Sequence, residues 1–432
     1  MNFYQINICT RSYSQFLSFI EGMYYMTQNW KKSFITIYIG QAFSILGSAA
    51  VQFAIIWWLT EQTKSPITLT TAAIVGFLPN IIVGPFAGYW VDKYNRKTVM
   101  IAADGLVALS SVVLGIAFLI NDNPSVLFIY AILFIRGLGG TFHNPAMQAA
   151  IPTLVPTEML TKAGGWGNMI SSMSNMLGPV IGAALMGFMP IESIMLIDIA
   201  GAAFAIICLL FIKIPDIPRS EEKIHFLTDL KLGFKAIGKN KPLLSVGIPM
   251  VLVNIIYMPL GSLFPLLILT HFNGTAFHNS FCEFTFAGGL LISSLIMGVW
   301  GGMKRRFLMV SLSVLLLGAA AFVGGILPTT GYFAFIACAF IMGCAGTFIN
   351  VPLMAYIQES TAPELMGKVF SLILTAMSLA MPIGLLIAGP VSEVTGVDNW
   401  FIYSGIAMLF VGILCWFLTK RYDKEKLKII EE

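Results

Sequence analysis

Apolar runs of 18 or more residues follow one another along almost the whole of this chain, and few folds can absorb them. As a helix, such a run matches the hydrocarbon thickness of a bilayer, about 30 Å. In lipid every backbone N–H and C=O must be satisfied within the protein, which leaves helices or closed barrels. Barrel strands are only about ten residues long, so these runs exclude them. Hydropathy predicts twelve transmembrane helices, over residues 34–59, 66–91, 98–120, 125–147, 163–188, 191–213, 243–270, 281–301, 305–326, 331–356, 366–390 and 398–419. The expected fold class is an all-α membrane protein. Charged residues make up 11% of the 432 and apolar ones 57%, too little charge to solvate a soluble domain. A soluble enzyme is therefore excluded. The chain also lacks a Gly-x-x-x-x-Gly-Lys-Ser/Thr loop, so it does not bind ATP in that manner.

The charges set a topology. Of 25 Lys and Arg residues, Arg136 falls mid-helix and Lys64 lies in the first short loop. All the others fall on the opposite side, in the N-terminal segment, the even-numbered loops and the C-terminus. By the positive-inside rule both termini face the cytoplasm of a multi-pass cell-membrane protein. The basic excess thus reports topology, and no nucleic-acid partner is implied. The six Cys are scattered without metal spacing, and no cofactor or metal is expected. Residues 1–25 show no signal peptide, and Met26 followed by Thr-Gln-Asn-Trp-Lys-Lys reads as a start, so 1–25 are expected to be an extension.

The chain repeats itself at about half its length. Gly140-Thr-Phe-His-Asn144 returns as Gly346-Thr-Phe-Ile-Asn350, and at the same offset of 206 residues Glu158 meets Glu364, Lys162 meets Lys368 and Gly178 meets Gly384. Two related apolar halves suggest a transporter that rocks one half against the other. The organisation expected is a cytoplasmic segment at 1–32, six-helix bundles at 33–213 and 243–419, a linker at 214–242 and a tail at 420–432. Within the linker, Leu227, Leu230, Leu232, Phe234 and Ile237 alternate with lysines, the pattern of an amphipathic surface helix or of a solvated connection.

Four constellations carry mechanism. The first is Gly84-x3-Gly88-Tyr-Trp-Val-Asp92-Lys93-Tyr-Asn95-Arg96-Lys97. Gly84 and Gly88 share a helix face and allow close helix contact. Asp92 and the basic turn can pair in one state and part in another, as a gate latch. The second is Gly178-Pro179-Val-Ile-Gly182-Ala183, where Pro179 should bend its helix. The third is Arg136, a costly and usually functional charge in a membrane. Asp198 is its best carboxylate partner and a candidate to gain and lose a proton; Asp104 is expected to pair with Arg96 or Lys97. The fourth is a set of polar and aromatic residues fitting a midplane cavity: Gln41, Ser48, Gln52, Asn144, Asn254, Tyr257, Phe264 and Asn350. The seventh segment, with Pro249, Pro259 and Pro265, is expected to be broken. Trp57, Trp58, Trp300, Trp400 and Trp416 fit interfacial belts.

The first constellation resembles the signature loop of the major facilitator superfamily, Gly-x-x-x-Asp-Arg/Lys-x-Gly-Arg-Arg/Lys. Asn95 stands where the second Gly belongs and can also take a left-handed turn. In the second half, Gly298-Val-Trp-Gly-Gly302-Met-Lys-Arg-Arg306 has Gly302 in place of the Asp, so the latch should be one-sided. The Gly178-Pro179 stretch resembles the Gly-Pro-x-x-Gly-Gly motif of the superfamily's antiporters, with Ala183 for the last Gly. Arg136-x-x-x-Gly140 resembles a helix-four motif tied there to proton coupling. Met258-Pro-Leu-Gly-Ser-Leu-Phe-Pro265, His271-Phe-Asn-Gly-Thr275 and Ala380-Met-Pro-Ile-Gly384 look like the macrolide-efflux (Mef-type) group.

That resemblance implies two pseudo-repeated six-helix bundles. It implies export of macrolide antibiotics in exchange for protons, with the proton gradient as energy source and no cofactor. It further implies a monomer in a bacterial lipid bilayer and, as a partner to test, an ATP-binding ribosome-protection protein. The competing readings are a transporter of another drug or an endogenous metabolite, and a non-transporting membrane sensor or assembly partner.

Overall fold

A computed structural model of the chain describes residues 3–212, 214, 238, 240–361 and 363–431. The expected linker helix at 227–239 lies outside the described residues, apart from Gly238. The apolar runs fold as α-helices, and no strand occurs among the described residues. They are α1 (Phe3–Thr63, with Trp30–Thr63 long and apolar enough to span), α2 (Pro66–Ile82), α3 (Gly84–Lys93) and α4 (Arg96–Ile120). Then follow α5 (Val126–Ala150), α6 (Leu160–Phe188), α7 (Ile191–Leu210), α8 (Lys241–Thr270) and α9 (Ala276–Trp300). The series ends with α10 (Arg306–Ile326), α11 (Tyr332–Ser360), α12 (Pro363–Thr395) and α13 (Val397–Glu431).

Among the described residues, eleven helices are long and apolar enough to span a membrane, twelve if α2 and α3 count as one span bent by 48°. The run expected as a single helix over 66–91 breaks at Val83. Pro85, in the first turn of α3, has no N–H to give and its ring clashes with the carbonyl of Ile81. Other prolines do not break their helices. Pro179 lies inside α6, and Pro249, Pro259 and Pro265 inside α8, which stays one helix against the expected break.

Two compact units result. One comprises Met1–Val51, Leu78–Gly178 and Met189–Glu221; the other comprises Gln52–Phe77, Pro179–Phe188 and Glu222–Glu432. In the first, α4 packs against α5 and α7, and α3 against α5. In the second, α10 packs against α13 and α11, α9 against α11, and α8 against α12 and α13.

The core of the second unit is aromatic. Phe264, expected in a cavity, is buried with its ring 5.8–6.2 Å from those of Phe286, Phe335 and Phe401. Trp57, Trp58 and Trp400, expected in interfacial belts, are also core residues, while Trp300 and Trp416 are exposed. Trp57 stacks on Phe53 against Ala183. A large apolar ring gains most where it removes its whole surface from solvent, whichever kind of wall it faces.

Side chains satisfy the helix starts. Asn95, Ser125 and Asn240 accept from the N–H groups of Thr98, Phe128 and Leu243. Arg305 cannot do this for α10. Instead Asp423 reaches across from α13, with Oδ1 3.3 Å from the Phe307 nitrogen and Oδ2 2.8 Å from that of Leu308. Asp423 is buried, and its charge also meets the positive end of the helix. Asp423→Ala should cost about 1–2 kcal/mol. Thermal unfolding in detergent checks this, and an unchanged midpoint would remove the cap from the account.

Candidate functional site

Four helices of the first unit place polar side chains in two layers. Arg136 of α5 reaches Asp198 of α7, Nη1 to Oδ2, at 2.5 Å. The same Nη1 donates to Ser111 Oγ of α4 at 2.8 Å, and Ser111 in turn donates to Asp198 Oδ2 at 2.6 Å. Ser48 Oγ of α1 donates to the other carboxylate oxygen at 2.5 Å, and Arg136 Nη2 donates to the Ser48 carbonyl at 3.3 Å. Asp198 is fully buried and Arg136 is 8% exposed. Neither charge could stand alone there; paired and hydrogen-bonded, each offsets much of the other's desolvation cost.

Seven residues along the same helices lies the second layer. Gln41 precedes Ser48, Asp104 precedes Ser111 and His143 follows Arg136 by that spacing, two helical turns or about 10 Å. Gln41 Nε2 donates to Asp104 Oδ2 at 3.2 Å. His143 Nε2 is 3.6 Å from Asp104 Oδ1, too far for a hydrogen bond. Two buried atoms of this layer, His143 Nε2 and Gln41 Oε1, have no hydrogen-bond partner. Asp104 therefore does not join Arg96 or Lys97. Lys97 instead donates to the carbonyls of Leu210 and Ile212, at 3.1 and 2.8 Å, and closes the C-terminus of α7. The signals missed in the sequence were Ser111, too common a residue to notice, and His143, which gains meaning only opposite Asp104.

The glycine-rich loop differs from expectation in detail. Asn95 is not left-handed; at φ −62° and ψ 122° it is the N-cap of α4. A Cβ on Gly88 would meet nothing within 4 Å, and one on Gly84 would meet only Asn80 of the preceding α2, so neither glycine seats another helix here. Lys93 is exposed, with its ammonium 5.9 Å from the Tyr94 ring, and the side chain of Asp92 lies outside the described residues. In the second half Gly302 has φ +84°, which explains a glycine where the first half has an acid. Arg306 finds a carboxylate all the same, Glu359 from the end of α11, at 2.5 Å.

Gly178 does mark a close approach. A Cβ there would overlap that of Ala49 in α1. Gly182 is buried beside it. In the second unit a Cβ on Gly384 would overlap the carbonyl oxygen of Ile255 in α8. Both members of the pair are displaced by the same 206 residues, so the repeat conserves a helix contact as well as a motif.

The expected cavity set is divided by the structure. Gln41 and Ser48 are committed to Asp104 and Asp198. Asn254 is half-buried and donates to Met250 of its own helix. Gln52 and Tyr257 are half-buried, and Asn144 and Asn350 are exposed. Glu393, which sequence reasoning passed over, accepts from Ser65 Oγ and the Ile67 N–H and so caps α2 within the second unit.

Comparison with known proteins agrees with this architecture. The profile of the Major Facilitator Superfamily matches residues 37–280 and 250–432. Macrolide efflux protein A of Streptococcus pyogenes is 38% identical over 389 residues, covering 90% of this chain and 96% of that protein. The protein of the same name from Enterococcus faecalis is 37% identical over 315 residues, covering 72% and 97%. Among solved structures, a bacterial homologue of the human lysosomal transporter Spinster superposes with a TM-score of 0.69 at 12% identity, covering 91% of this chain and 97% of its own. A bacterial homologue of the iron transporter ferroportin gives 0.69 at 14%, covering 90% and 98%.

Proposed function

This chain belongs to the major facilitator superfamily, as a multi-pass membrane transporter and not an enzyme, and on that premise we propose that it exports macrolide-type antibiotics in exchange for protons. The observation that carries the reading is identity of 37–38% with macrolide efflux proteins over nearly their whole length. The chemistry suits it. Macrolides are large, lipophilic and carry a protonated amine, and apolar walls with a few polar groups receive such molecules. Of the expected polar side chains, Gln52, Asn254, Tyr257 and Asn350 in the second unit and Asn144 in the first remain outside the two buried layers.

In this reading both termini are cytoplasmic, the working form is a monomer in a bacterial plasma membrane, and the proton gradient supplies the energy without a cofactor. Drug enters from the cytoplasm or inner leaflet, the halves rock, and protons arriving from outside favour release. Protons act through the layered polar site of the first unit, where Arg136, Asp198 and Asp104 set the local charge. Asp92 and the basic turn after it latch the gate, and the Gly178-Pro179 stretch sets the path of α6. Drug and proton shift the equilibrium only by binding the two states unequally.

The test is accumulation of radiolabelled erythromycin in a drug-sensitive bacterium expressing the chain. Expression should lower accumulation several-fold, and a protonophore should restore it. Accumulation equal to the empty vector would end the macrolide reading in favour of another drug or metabolite. Insensitivity to the protonophore would end the proton coupling. Co-expressing an ATP-binding ribosome-protection protein tests that partnership, as added resistance.

A further inference from the structure

We propose that His143, facing Asp104, is the group that exchanges the transported proton, and that Arg136–Asp198 is a fixed ion pair holding the helices around it. This deepens the reading of a proton-coupled exporter and rests on it. The carboxylates of the two layers differ in how they are held. Asp198 receives Arg136, Ser48 and Ser111, so both its oxygens are occupied and a proton arriving there has to displace a bond already made. Asp104 receives Gln41 and Ser44, and its Oδ1 faces, at 3.6 Å, an imidazole nitrogen that makes no hydrogen bond. That nitrogen has a vacancy for a proton, and Asp104 supplies the counter-charge once the proton is bound.

The surroundings limit the alternatives. From α1, Gln41 and Ser44 face Asp104; from α7, Asp198 acts on it at longer range; on α5 the nearest charge to His143 is Arg136, two turns away. The α3 helix meets the neighbouring Phe142 through the ring of Trp90, at 5.5 Å. His143 is thus the side chain of this layer whose ring nitrogen can take a proton with a carboxylate already facing it. The repeat makes the same point. At the offset fixed by Gly-Thr-Phe, Arg136 and His143 correspond to Met342 and Ile349, so the scaffold forms without either charge. The step is a simple cycle: Nε2 of the neutral imidazole binds a proton, the new N–H points to Asp104 Oδ1, and release of that proton to cytoplasmic water restores the lone pair.

Two measurements test this. The first needs no substrate. Nuclear magnetic resonance of the full chain in nanodiscs with labelled histidine follows only four residues, and His143→Gln identifies the signal. The His143 signal should pass between the neutral and the protonated ring as pH is lowered. A signal fixed in one form overturns the proposal, whatever the chain transports. The second uses proteoliposomes, an imposed pH gradient and erythromycin. His143→Gln, always neutral, and His143→Arg, always charged, should both lose gradient-driven accumulation about tenfold or more. Wild-type accumulation by either variant overturns the proposal. If the unaltered chain fails to carry erythromycin, the drug assignment falls, and the resonance measurement still decides the proton site.

Discussion

Arg136→Met should abolish drug efflux and lower stability by about 3–5 kcal/mol, the cost of leaving a buried charge without its partner. Asp198 is fully buried, and in that variant it would keep only the hydroxyls of Ser48 and Ser111. Methionine is a chosen replacement because Met342 occupies the corresponding place in the second half, where it is fully buried. The second half also has Ser404 where the first has Asp198. The double variant Arg136→Met, Asp198→Ser therefore gives the first half a pair of residues that the repeat already accommodates. It should recover most of the lost stability, because no charge remains buried. It should not recover transport, because the field around the second layer has gone. Detergent unfolding midpoints and erythromycin accumulation separate the two effects. Full transport by the double variant would reduce the ion pair to scaffolding with no bearing on function.

Much of this site could be read from residue types alone. An arginine within an apolar run stands out at once, and Asp198 stood out as a carboxylate set well inside another. Their meeting is a matter of helix packing, which hydropathy does not encode. The second layer was harder. Spacings of seven between Gln41 and Ser48, Asp104 and Ser111, and Arg136 and His143 are present in the sequence. They become informative only when α1, α4 and α5 are known to be neighbours, since any long helix offers many such pairs. Asp104 lies close to the basic turn in sequence, but across the bundle it meets His143.

Fold details divide along the same line. The break at Val83 had a local cause in Pro85, yet prolines in α6 and α8 produced no break. Whether a proline interrupts a membrane helix depends on what fills the gap it leaves, and that is a tertiary fact. Aromatic residues carry the same ambiguity. Phe264 and Trp57 are as apolar in a cavity as in a core, and only the rings around them decide.

The two equivalent glycines should respond differently to the same methyl group. Gly178→Ala and Gly384→Ala each force a Cβ into an occupied place, and each should cost about 1–3 kcal/mol and most of the transport rate. At Gly178 the first atom met is the Cβ of Ala49, with the Ala49 backbone carbon and Cα behind it at 3.1 and 3.3 Å. Ala49→Gly removes that first obstacle, so the double variant should regain at least half of the lost stability. At Gly384 the obstacle is the backbone oxygen of Ile255, with Pro259 Cγ behind it at 3.1 Å. Pro259 has no N–H for that oxygen, so the carbonyl stands clear of the helix ladder at the point where α12 crosses. No side-chain change at Ile255 can move it, and Ile255→Ala should leave Gly384→Ala unrescued. Unfolding midpoints and erythromycin efflux of the four variants provide the measurement. Rescue at both sites would mean the helices simply slide apart to admit a methyl group. Rescue at Gly178 alone would show that the duplication kept one helix contact while assigning its two copies different limits: a side chain in the first half, and in the second a carbonyl freed by proline.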